Sequence, residues 1–216
     1  SSTETGLLQS WPSDGPKLAW RATGLGAGYS SLAIADGVIF TLGDLDDGSY
    51  AIAISETDGS PIWKTKIGEA GGHRKYPGTR CTPTVDGGEV FVLNQHSDFA
   101  CLDAANGELK WTKNLIKDFG GKMMSGWKYS ESPLVDGNKV MITPGGTKGT
   151  VLAVDRESGE KVWQTSDWKD TAAYSSVVIA EIHGVKQYIQ LTGESVAGID
   201  PETGNILWLA DRPGKT

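Results

Sequence analysis

The segment Ile199–Trp208 reads IDPETGNILW, and related versions of it occur three more times along the chain. Each version has a glycine four residues before its tryptophan, and three of the four have an aspartate eight residues before it. The tryptophans follow one another at intervals of 48, 52 and 45 residues, a period typical of propeller blades. The other three versions are Ile54–Trp63 (ISETDGSPIW), Leu102–Trp111 (LDAANGELKW) and Val154–Trp163 (VDRESGEKVW).

A second signature recurs in phase with the first and lies between short runs of β-branched residues. It reads Ala35-Asp36-Gly37, Val85-Asp86-Gly87 and Val135-Asp136-Gly137, and its fourth copy is Ile182-His183-Gly184. An Asp-Gly pair between two apolar runs predicts a β-hairpin, because both residues tolerate a positive φ. Each unit is therefore predicted to contain four short strands, with the tryptophan on the fourth.

One four-stranded sheet cannot bury both of its faces, so the units are expected to stack face to face. We therefore predict an all-β fold, a β-propeller of four-stranded antiparallel blades of which four are present. The predicted boundaries are 1–20 for an N-terminal segment, 21–67 for blade 1, 68–115 for blade 2, 116–167 for blade 3 and 168–216 for blade 4. Tryptophans are expected to fill the space between neighbouring sheets. They are Trp20, Trp63, Trp111, Trp163 and Trp208.

The segment Lys17–Trp20 resembles the fourth strand of a unit whose other strands are not in this chain. In propellers, an N-terminal strand of this kind often closes the ring by pairing with C-terminal strands. We therefore expect the four blades to be the N-terminal half of a ring of about eight. The remaining blades would come from C-terminal sequence missing here. Ring closure by a second chain is the alternative, and it leaves one extra strand per chain.

The composition excludes several classes of protein. The chain has 216 residues, a formal net charge of −7 and 38% hydrophobic residues, which is a globular composition. No apolar run approaches the length of a transmembrane helix, and the acidic balance argues against nucleic acid as a partner. No signal-peptide pattern is present, so any export signal would have been removed before Ser1.

The repeat carries a resemblance to a known family. Its A-x-D-x-x-T-G-x-x-x-W pattern, with Asp200, Gly204 and Trp208 in the last copy, resembles the pyrroloquinoline-quinone-like (quinoprotein-type) repeat. That family includes quinone-dependent alcohol dehydrogenases, the propeller lipoprotein of bacterial outer-membrane assembly, and exported propellers of unassigned role in planctomycete-type bacteria. The last group is the most similar, and the resemblance implies a periplasmic or extracellular location. It is carried by 28–31, 80–87, 129–133, 143–146 and 190–193.

The leading hypothesis for function is a non-catalytic binding or scaffold propeller without a cofactor, whose partner is a protein or a small ligand. One alternative is a dehydrogenase that uses pyrroloquinoline quinone with Ca²⁺, and another is an assembly component of a larger complex. The resemblance implies that such dehydrogenases hold Ca²⁺ through an acidic residue and an amide, commonly beneath a disulfide of adjacent cysteines. Cys81 and Cys101 are not adjacent, and no residue is assigned as catalytic.

Asp44 and Asp46 are the only metal candidates, because carboxylates at alternate positions before a glycine occur in calcium loops. The pattern fails at its twelfth place, where Ser55 stands instead of a glutamate. A turn between two strands is therefore favoured over a metal site.

The candidate binding residues follow from propeller geometry, in which the first strands line the central channel. Tyr29, Arg80, Tyr129 and Tyr174 enter the four first strands at equivalent positions and are expected at the channel mouth. Arg80 differs in charge from its equivalents, and a repeat protein often departs from pure packing at such a position. Glu131, the one acid at its repeat position, and Trp127, which lies outside the repeat phase, complete the predicted site. The alternative is that the tyrosines only satisfy backbone groups at strand edges.

Overall fold

The computed structural model describes residues 5–212, which form four antiparallel sheets of four strands each. Within every sheet, the spatial order of the strands is their order in the chain. This arrangement confirms the predicted all-β fold with four-stranded blades. Residues 1–4 of the expected N-terminal segment and 213–216 of the expected blade 4 lie outside the described residues.

The blades are defined by the following elements. Blade 1 contains β1 (Ala33–Ala35), β2 (Val38–Leu45), β3 (Gly48–Ser55) and β4 (Pro61–Gly68). Blade 2 contains β5 (Thr84–Asp86), β6 (Glu89–Leu93), β7 (Asp98–Asp103) and β8 (Leu109–Asn114), followed by the helix α1 (Leu115–Phe119). Blade 3 contains β9 (Leu134–Asp136), β10 (Lys139–Ile142), β11 (Leu152–Asp155) and β12 (Lys161–Gln164). Blade 4 contains β13 (Val178–Ile182), β14 (Val185–Leu191), β15 (Ser195–Ile199) and β16 (Ile206–Asp211). Among residues 5–212, no helix has the length and apolar character needed to cross a membrane.

The first hairpin of each blade follows the second sequence signature, with one correction. In blade 1 the turn is Asp36-Gly37, with φ of 50° and 77°, as predicted. In blade 2 the turn is Gly87-Gly88, and Asp86 is the last residue of β5. The prediction is wrong there by one residue, because Gly88 supplies a second position that adopts a positive φ without strain. The turn of blade 3 is shifted in the same way.

The middle three of the five repeat tryptophans each pack on a turn of the next blade. The indole Nε1 of Trp63 donates a hydrogen bond to the carbonyl oxygen of Ala104 at 2.9 Å, and its ring covers Gly107. Gly107 has a φ of 73°, and a Cβ there would lie 2.6 Å from two ring carbons. Both the backbone conformation and the ring therefore require glycine. The equivalent bonds join Trp111 to Arg156 at 2.9 Å and Trp163 to Pro201 at 3.1 Å.

The first and last of the five tryptophans differ from the middle three. Trp20 packs on the turn of blade 1, where it donates to the carbonyl oxygen of Glu56 at 3.0 Å. The strand predicted for residues 17–20 is absent from the described structure, because no neighbouring strand forms a ladder with it there. Trp208 is 37% exposed and donates to Gln187 of its own sheet.

Arg156 joins blades 2 and 3 beside the Trp111 contact. Its Nε donates to Glu89 and its Nη1 to Asp86, each at 2.5 Å, and its side chain is 17% exposed. The guanidinium lies 5.7 Å from the ring centroid of Phe91. One side chain thus neutralises two carboxylates of the neighbouring blade while its carbonyl accepts the indole N–H.

Burial increases toward the middle of the stack. Every residue of β6 is buried, because blades 1 and 3 cover the two faces of blade 2. By contrast, blade 4 exposes Val178, Leu191, Leu207 and Leu209. The first strands β1, β5 and β9 contact one another in order, as inner strands around one axis do. The chain segments that enter these strands therefore gather at one end of that axis.

Candidate binding site

Adjacent connections between blades are tied to each other by backbone hydrogen bonds. The amide of Tyr29 donates to the carbonyl oxygen of Thr79 at 2.7 Å. The amide of Met124 donates to the carbonyl oxygen of Ala172 at 2.9 Å, two connections further along. These bonds lie in isolated parallel bridges, so the connections run side by side and present neighbouring side chains on one surface.

Four aromatic side chains from successive connections are exposed on this surface. The exposed fractions are 59% for Tyr29, 44% for Tyr76, 44% for Trp127 and 45% for Tyr174. The centroids of Tyr29 and Tyr76 lie 6.4 Å apart in an edge arrangement, and those of Tyr76 and Trp127 lie 5.3 Å apart and stacked. We call these four residues, together with His73 and Arg80, the aromatic–arginine site.

The loop before β5 positions two members of the site. Gly72 and Pro77 are paired by an isolated antiparallel bridge, which closes a short loop with His73 and Tyr76 at its tip. The His73 ring stacks on Trp127 with centroids 4.2 Å apart and an interplanar angle of 5°. Stacking at this distance fixes the indole while leaving part of it open to solvent.

Arg80 lies beneath the rings and is held by the backbone. Its Nη1 donates to the carbonyl oxygen of Gly78 at 2.7 Å, and its Nη2 donates to that of Tyr76 at 2.6 Å. The guanidinium carbon lies 5.2 Å from the centroid of Tyr29, within the range of a cation–π interaction. Among residues 5–212, no carboxylate lies within ion-pair distance of Arg80.

Trp127 points outward and Tyr129 points inward because the residue between them changes the direction of the chain. Lys128 has a φ of 72°, an uncommon conformation for a residue with a side chain. Tyr129 is 2% exposed, and its hydroxyl donates to the carbonyl oxygen of Pro144 at 2.8 Å. Burial raises the pKa of the Tyr129 hydroxyl above its ordinary value. Tyr129 is thus part of the interior and not of the exposed surface.

Glu131 is also an interior residue. It is 2% exposed, and its carboxylate accepts hydrogen bonds from the amide and hydroxyl of Thr143 at 2.7 Å and 2.9 Å. Gln190 approaches the same carboxylate at 3.5 Å. Burial without a cation raises the pKa of Glu131 to about 8, against the hydrogen bonds from Thr143, which lower it. This carboxyl group therefore binds a proton near neutral pH and is covered by protein.

The two metal candidates do not come together as a site. Asp44 is buried, and its carboxylate accepts hydrogen bonds from Ser49, Gln95 and the amide of Gly71. Asp46 is exposed in the turn between β2 and β3. Within the described part of the chain, no three His, Cys, Asp or Glu side chains converge as metal ligands. The turn interpretation of this segment fits the structure.

The two cysteines differ from those that the resemblance to quinone-dependent dehydrogenases implies. Cys81 and Cys101 are both free and buried, and burial raises the pKa of each thiol to about 12. They form no disulfide of the kind that the resemblance to dehydrogenases implies.

The structure therefore divides the six predicted binding residues into two groups. Tyr29, Arg80, Trp127 and Tyr174 share one surface, whereas Tyr129 and Glu131 are buried. His73 and Tyr76, which complete this surface, are not among the residues predicted from the sequence. The signal that identifies both is their place in the insertion before β5, which has no counterpart of the same sequence in the other repeats.

Comparison with known proteins gives one family match. The family described as outer membrane protein assembly factor BamB matches residues 47–214. The proteins of that name from Yersinia pestis and Shewanella oneidensis are 26% and 25% identical to the chain. The aligned regions cover 94% and 69% of the chain, but only 51% and 36% of those proteins. The chain thus spans about half the length, or less, of these relatives.

Solved structures show the same fold. The crystal structure of BamB from Moraxella catarrhalis superimposes with a TM-score of 0.65 at 13% identity, over 89% of this chain and 54% of that one. Quinohemoprotein alcohol dehydrogenase from Comamonas testosteroni superimposes with a TM-score of 0.61 at 17% identity, over 86% and 35%. The expected similarity to quinoprotein-type propellers is confirmed, and at these identities it concerns the fold alone.

Proposed function

Since the chain belongs to the family described as outer membrane protein assembly factor BamB, we propose that it is a non-catalytic binding or scaffold propeller. The observation that carries this proposal is the aromatic–arginine site. Exposed Trp and Tyr rings beside an Arg are the side chains that most often dominate binding energy at protein interfaces. The ligand would bind at this end of the blades, and by analogy with the family name it would be a component of an assembly.

The proposed location is the periplasm or the cell surface. It is supported by the name of the matching family, which refers to the outer membrane. In this proposal the protein works without a cofactor. Cys81 and Cys101 are free, buried and not adjacent, unlike the cysteines that form the disulfide in the dehydrogenases, which supports that part.

A quinone-dependent dehydrogenase is the competing function, and no contact among the described residues favours it over binding. Calorimetry of the full-length protein with pyrroloquinoline quinone and Ca²⁺ distinguishes the two. We expect no heat of binding. Saturable binding together with dye-linked alcohol oxidation would replace the scaffold proposal by the enzyme.

The direct test is a pull-down with the immobilised protein and matched variants. Arg80→Ala and Trp127→Ala should each lose a partner that the wild type retains, without a fall in melting temperature. Trp11→Ala is the control, because Trp11 is 68% exposed and lies outside the site. A partner retained equally by all variants would refute binding at this surface.

We further propose that another blade, from additional sequence of the same polypeptide, covers the exposed face of blade 4. The exposure of Leu207, Leu209 and Trp208 supports this, since aliphatic faces of this kind are normally covered in stacked repeats. The intact mass of the natural gene product, combined with light scattering, tests it. A four-blade polypeptide that forms a dimer would favour closure by a second chain instead.

A further inference from the structure

We propose that the aromatic–arginine site binds an acidic polypeptide segment carrying a large apolar or aromatic side chain. This inference rests on the proposed binding function and adds the chemical class of the partner. It follows from the shape of the site, from its positive local charge, and from the contrast between that charge and the negative net charge of the whole chain.

The shape favours side chains over a drug-sized molecule. Trp127 and Arg80 line two neighbouring hollows. One, of about 250 Å³, is completed by Tyr29 and Tyr76, and the other, of about 330 Å³, by Ser130 and Tyr174. Small-molecule pockets typically measure about 300–1,000 Å³ and enclose most of their ligand. Two shallow, adjacent hollows at or near the lower limit suit successive side chains of one polypeptide.

The local charge is positive although the chain as a whole is acidic. The segments 70–83 and 120–130 contain no Asp or Glu, whereas the net charge of the chain is −7. Among the described residues, none of their basic side chains lies within ion-pair distance of a carboxylate. These side chains are Arg74, Lys75, Arg80, Lys122 and Lys128. A partner with carboxylates around an apolar centre is complementary to this surface.

Arg80 retains donor capacity for such a carboxylate. A guanidinium has five N–H groups, of which the contacts to Gly78 and Tyr76 use two. Because those contacts hold the group in place, little side-chain entropy is lost when the remaining donors bind. Arg80 lines both hollows, so a carboxylate bound to it would lie beside the inserted side chain.

A short acidic segment fits better than a long polyanion such as nucleic acid. Stacking on aromatic rings beside cations also occurs in single-strand binding proteins, which use a positive groove along the backbone. Here the basic side chains of the site lie on two connections of an acidic chain, and their attraction is screened beyond about one Debye length, roughly 10 Å, so the more distant charges of a long polyanion gain nothing from them. A segment of a few residues contacts only the positive region.

Fluorescence anisotropy with labelled peptides tests the proposal on the full chain. The probe is an acetylated, fluorescein-labelled peptide in which glutamate and phenylalanine alternate. Two matched probes replace all glutamates by lysine or all phenylalanines by serine. We expect the glutamate–phenylalanine probe to bind at least about tenfold more tightly than either of the two matched probes. Its binding should weaken when the NaCl concentration is raised from about 50 to about 500 mM.

The variants locate the binding. Arg80→Ala and Trp127→Ala should each lower the affinity for the glutamate–phenylalanine probe by about tenfold or more, as expected of central interface residues. Arg21→Ala and Trp11→Ala are the controls, because they change exposed residues of the same types outside the site, and they should leave the affinity for the probe unchanged. Equal weakening in all four variants would overturn the assignment.

The outcome also separates this inference from the proposed function. Equal binding of the lysine probe, or no binding of the glutamate–phenylalanine probe, overturns the acidic-peptide class. Binding of oligo(dT) or polygalacturonate at the same residues in place of the peptide overturns it as well. In each of these cases the proposed binding function is tested separately by the pull-down. Loss of the partner in Arg80→Ala and Trp127→Ala supports that function, and retention of the partner in both variants contradicts it.

Discussion

Replacement of Gly107 by alanine tests whether the tryptophan contacts hold the blades together. Gly107 has a φ of 73°, and an added Cβ would lie 2.6 Å from two carbons of the Trp63 indole. Gly37 has a φ of 77°, and a Cβ there meets nothing within 4 Å. The two substitutions therefore share the backbone cost and differ in the contact with the ring, and to a smaller extent in a contact with the Thr65 hydroxyl at 2.9 Å.

The expected magnitudes follow from these two contributions. Alanine in the left-handed region costs about 1–2 kcal/mol, and the reduced entropy of the unfolded chain returns about 0.4–1 kcal/mol. Gly37→Ala should therefore lower the free energy of unfolding by about 1 kcal/mol. Overpacking against a buried neighbour adds about 1–3 kcal/mol, so Gly107→Ala should cost about 2–4 kcal/mol in total. In a chain of this size, about 1 kcal/mol lowers the melting temperature by roughly 2–4 °C.

Urea unfolding followed by far-ultraviolet circular dichroism measures both variants without relying on the fluorescence of the displaced ring. A Trp63→Val background provides the second half of a double-mutant cycle. Once the indole is removed, the excess cost of Gly107→Ala over Gly37→Ala should fall to the contribution of the Thr65 hydroxyl, whose Oγ1 would lie 2.9 Å from the added Cβ. Equal losses for Gly37→Ala and Gly107→Ala in the wild-type background would refute the role assigned to the ring contact.

Three further predictions concern stability. Burial raises the pKa of Glu131 to about 8, from an unfolded value near 4.5. Since the folded state holds the proton more tightly, its stabilising contribution is complete below pH 4.5 and is lost as the pH rises toward 8. Glu131→Gln should flatten that decline in urea titrations between pH 5 and 8; an unchanged slope would contradict it. Trp111→Phe removes a buried N–H donor and should cost about 1–3 kcal/mol, whereas Trp208→Phe at the exposed face should cost less than about 1 kcal/mol in the same assay. Arg156→Ala leaves the half-exposed Asp86 without a cation and Glu89 with Lys110 alone, and it should cost about 1–3 kcal/mol, against less than about 0.5 kcal/mol for Lys66→Ala in an exposed pair; similar losses would argue against the inter-blade ion pairs.

The repeat was sufficient to predict the sheets but not every turn within them. Spacing of Gly and Trp in the four copies of the repeat determines where each fourth strand lies, because the indole of one blade must meet the glycine of the next. The turn at Gly87-Gly88 was misplaced because two neighbouring positions both tolerate a positive φ, and pairing of β5 with β6 decides between them. The register in which β5 pairs with β6 cannot be read from the residues of the turn alone.

The candidate site was only partly predictable, because the one-residue shift of the turn in blade 3 also shifts the residues that enter its first strand. Tyr29 and Tyr129 were predicted to be equivalent, but Tyr129 lies one residue further from its turn than Tyr29 does. A shift of one residue points the side chain to the opposite side, and the exposed fractions are accordingly 59% for Tyr29 and 2% for Tyr129. Lys128, with a positive φ, lies between the exposed Trp127 and the buried Tyr129. The stacking of His73 on Trp127 joins residues of two different connections and equally depends on the tertiary structure.

The tryptophan contacts also have a consequence for how such chains change in length. The rings of Trp63, Trp111 and Trp163 each reach forward to the turn of the following blade, so one packing module extends from just after one tryptophan to the next, for example 64–111. Deleting or duplicating a stretch between equivalent positions of two repeats leaves each of these indoles with a carbonyl and a glycine to cover. An insertion or deletion between non-equivalent positions leaves one ring without them. Propellers of this type can therefore gain and lose blades through single in-phase genetic events, while the surface loops that bind partners diverge independently.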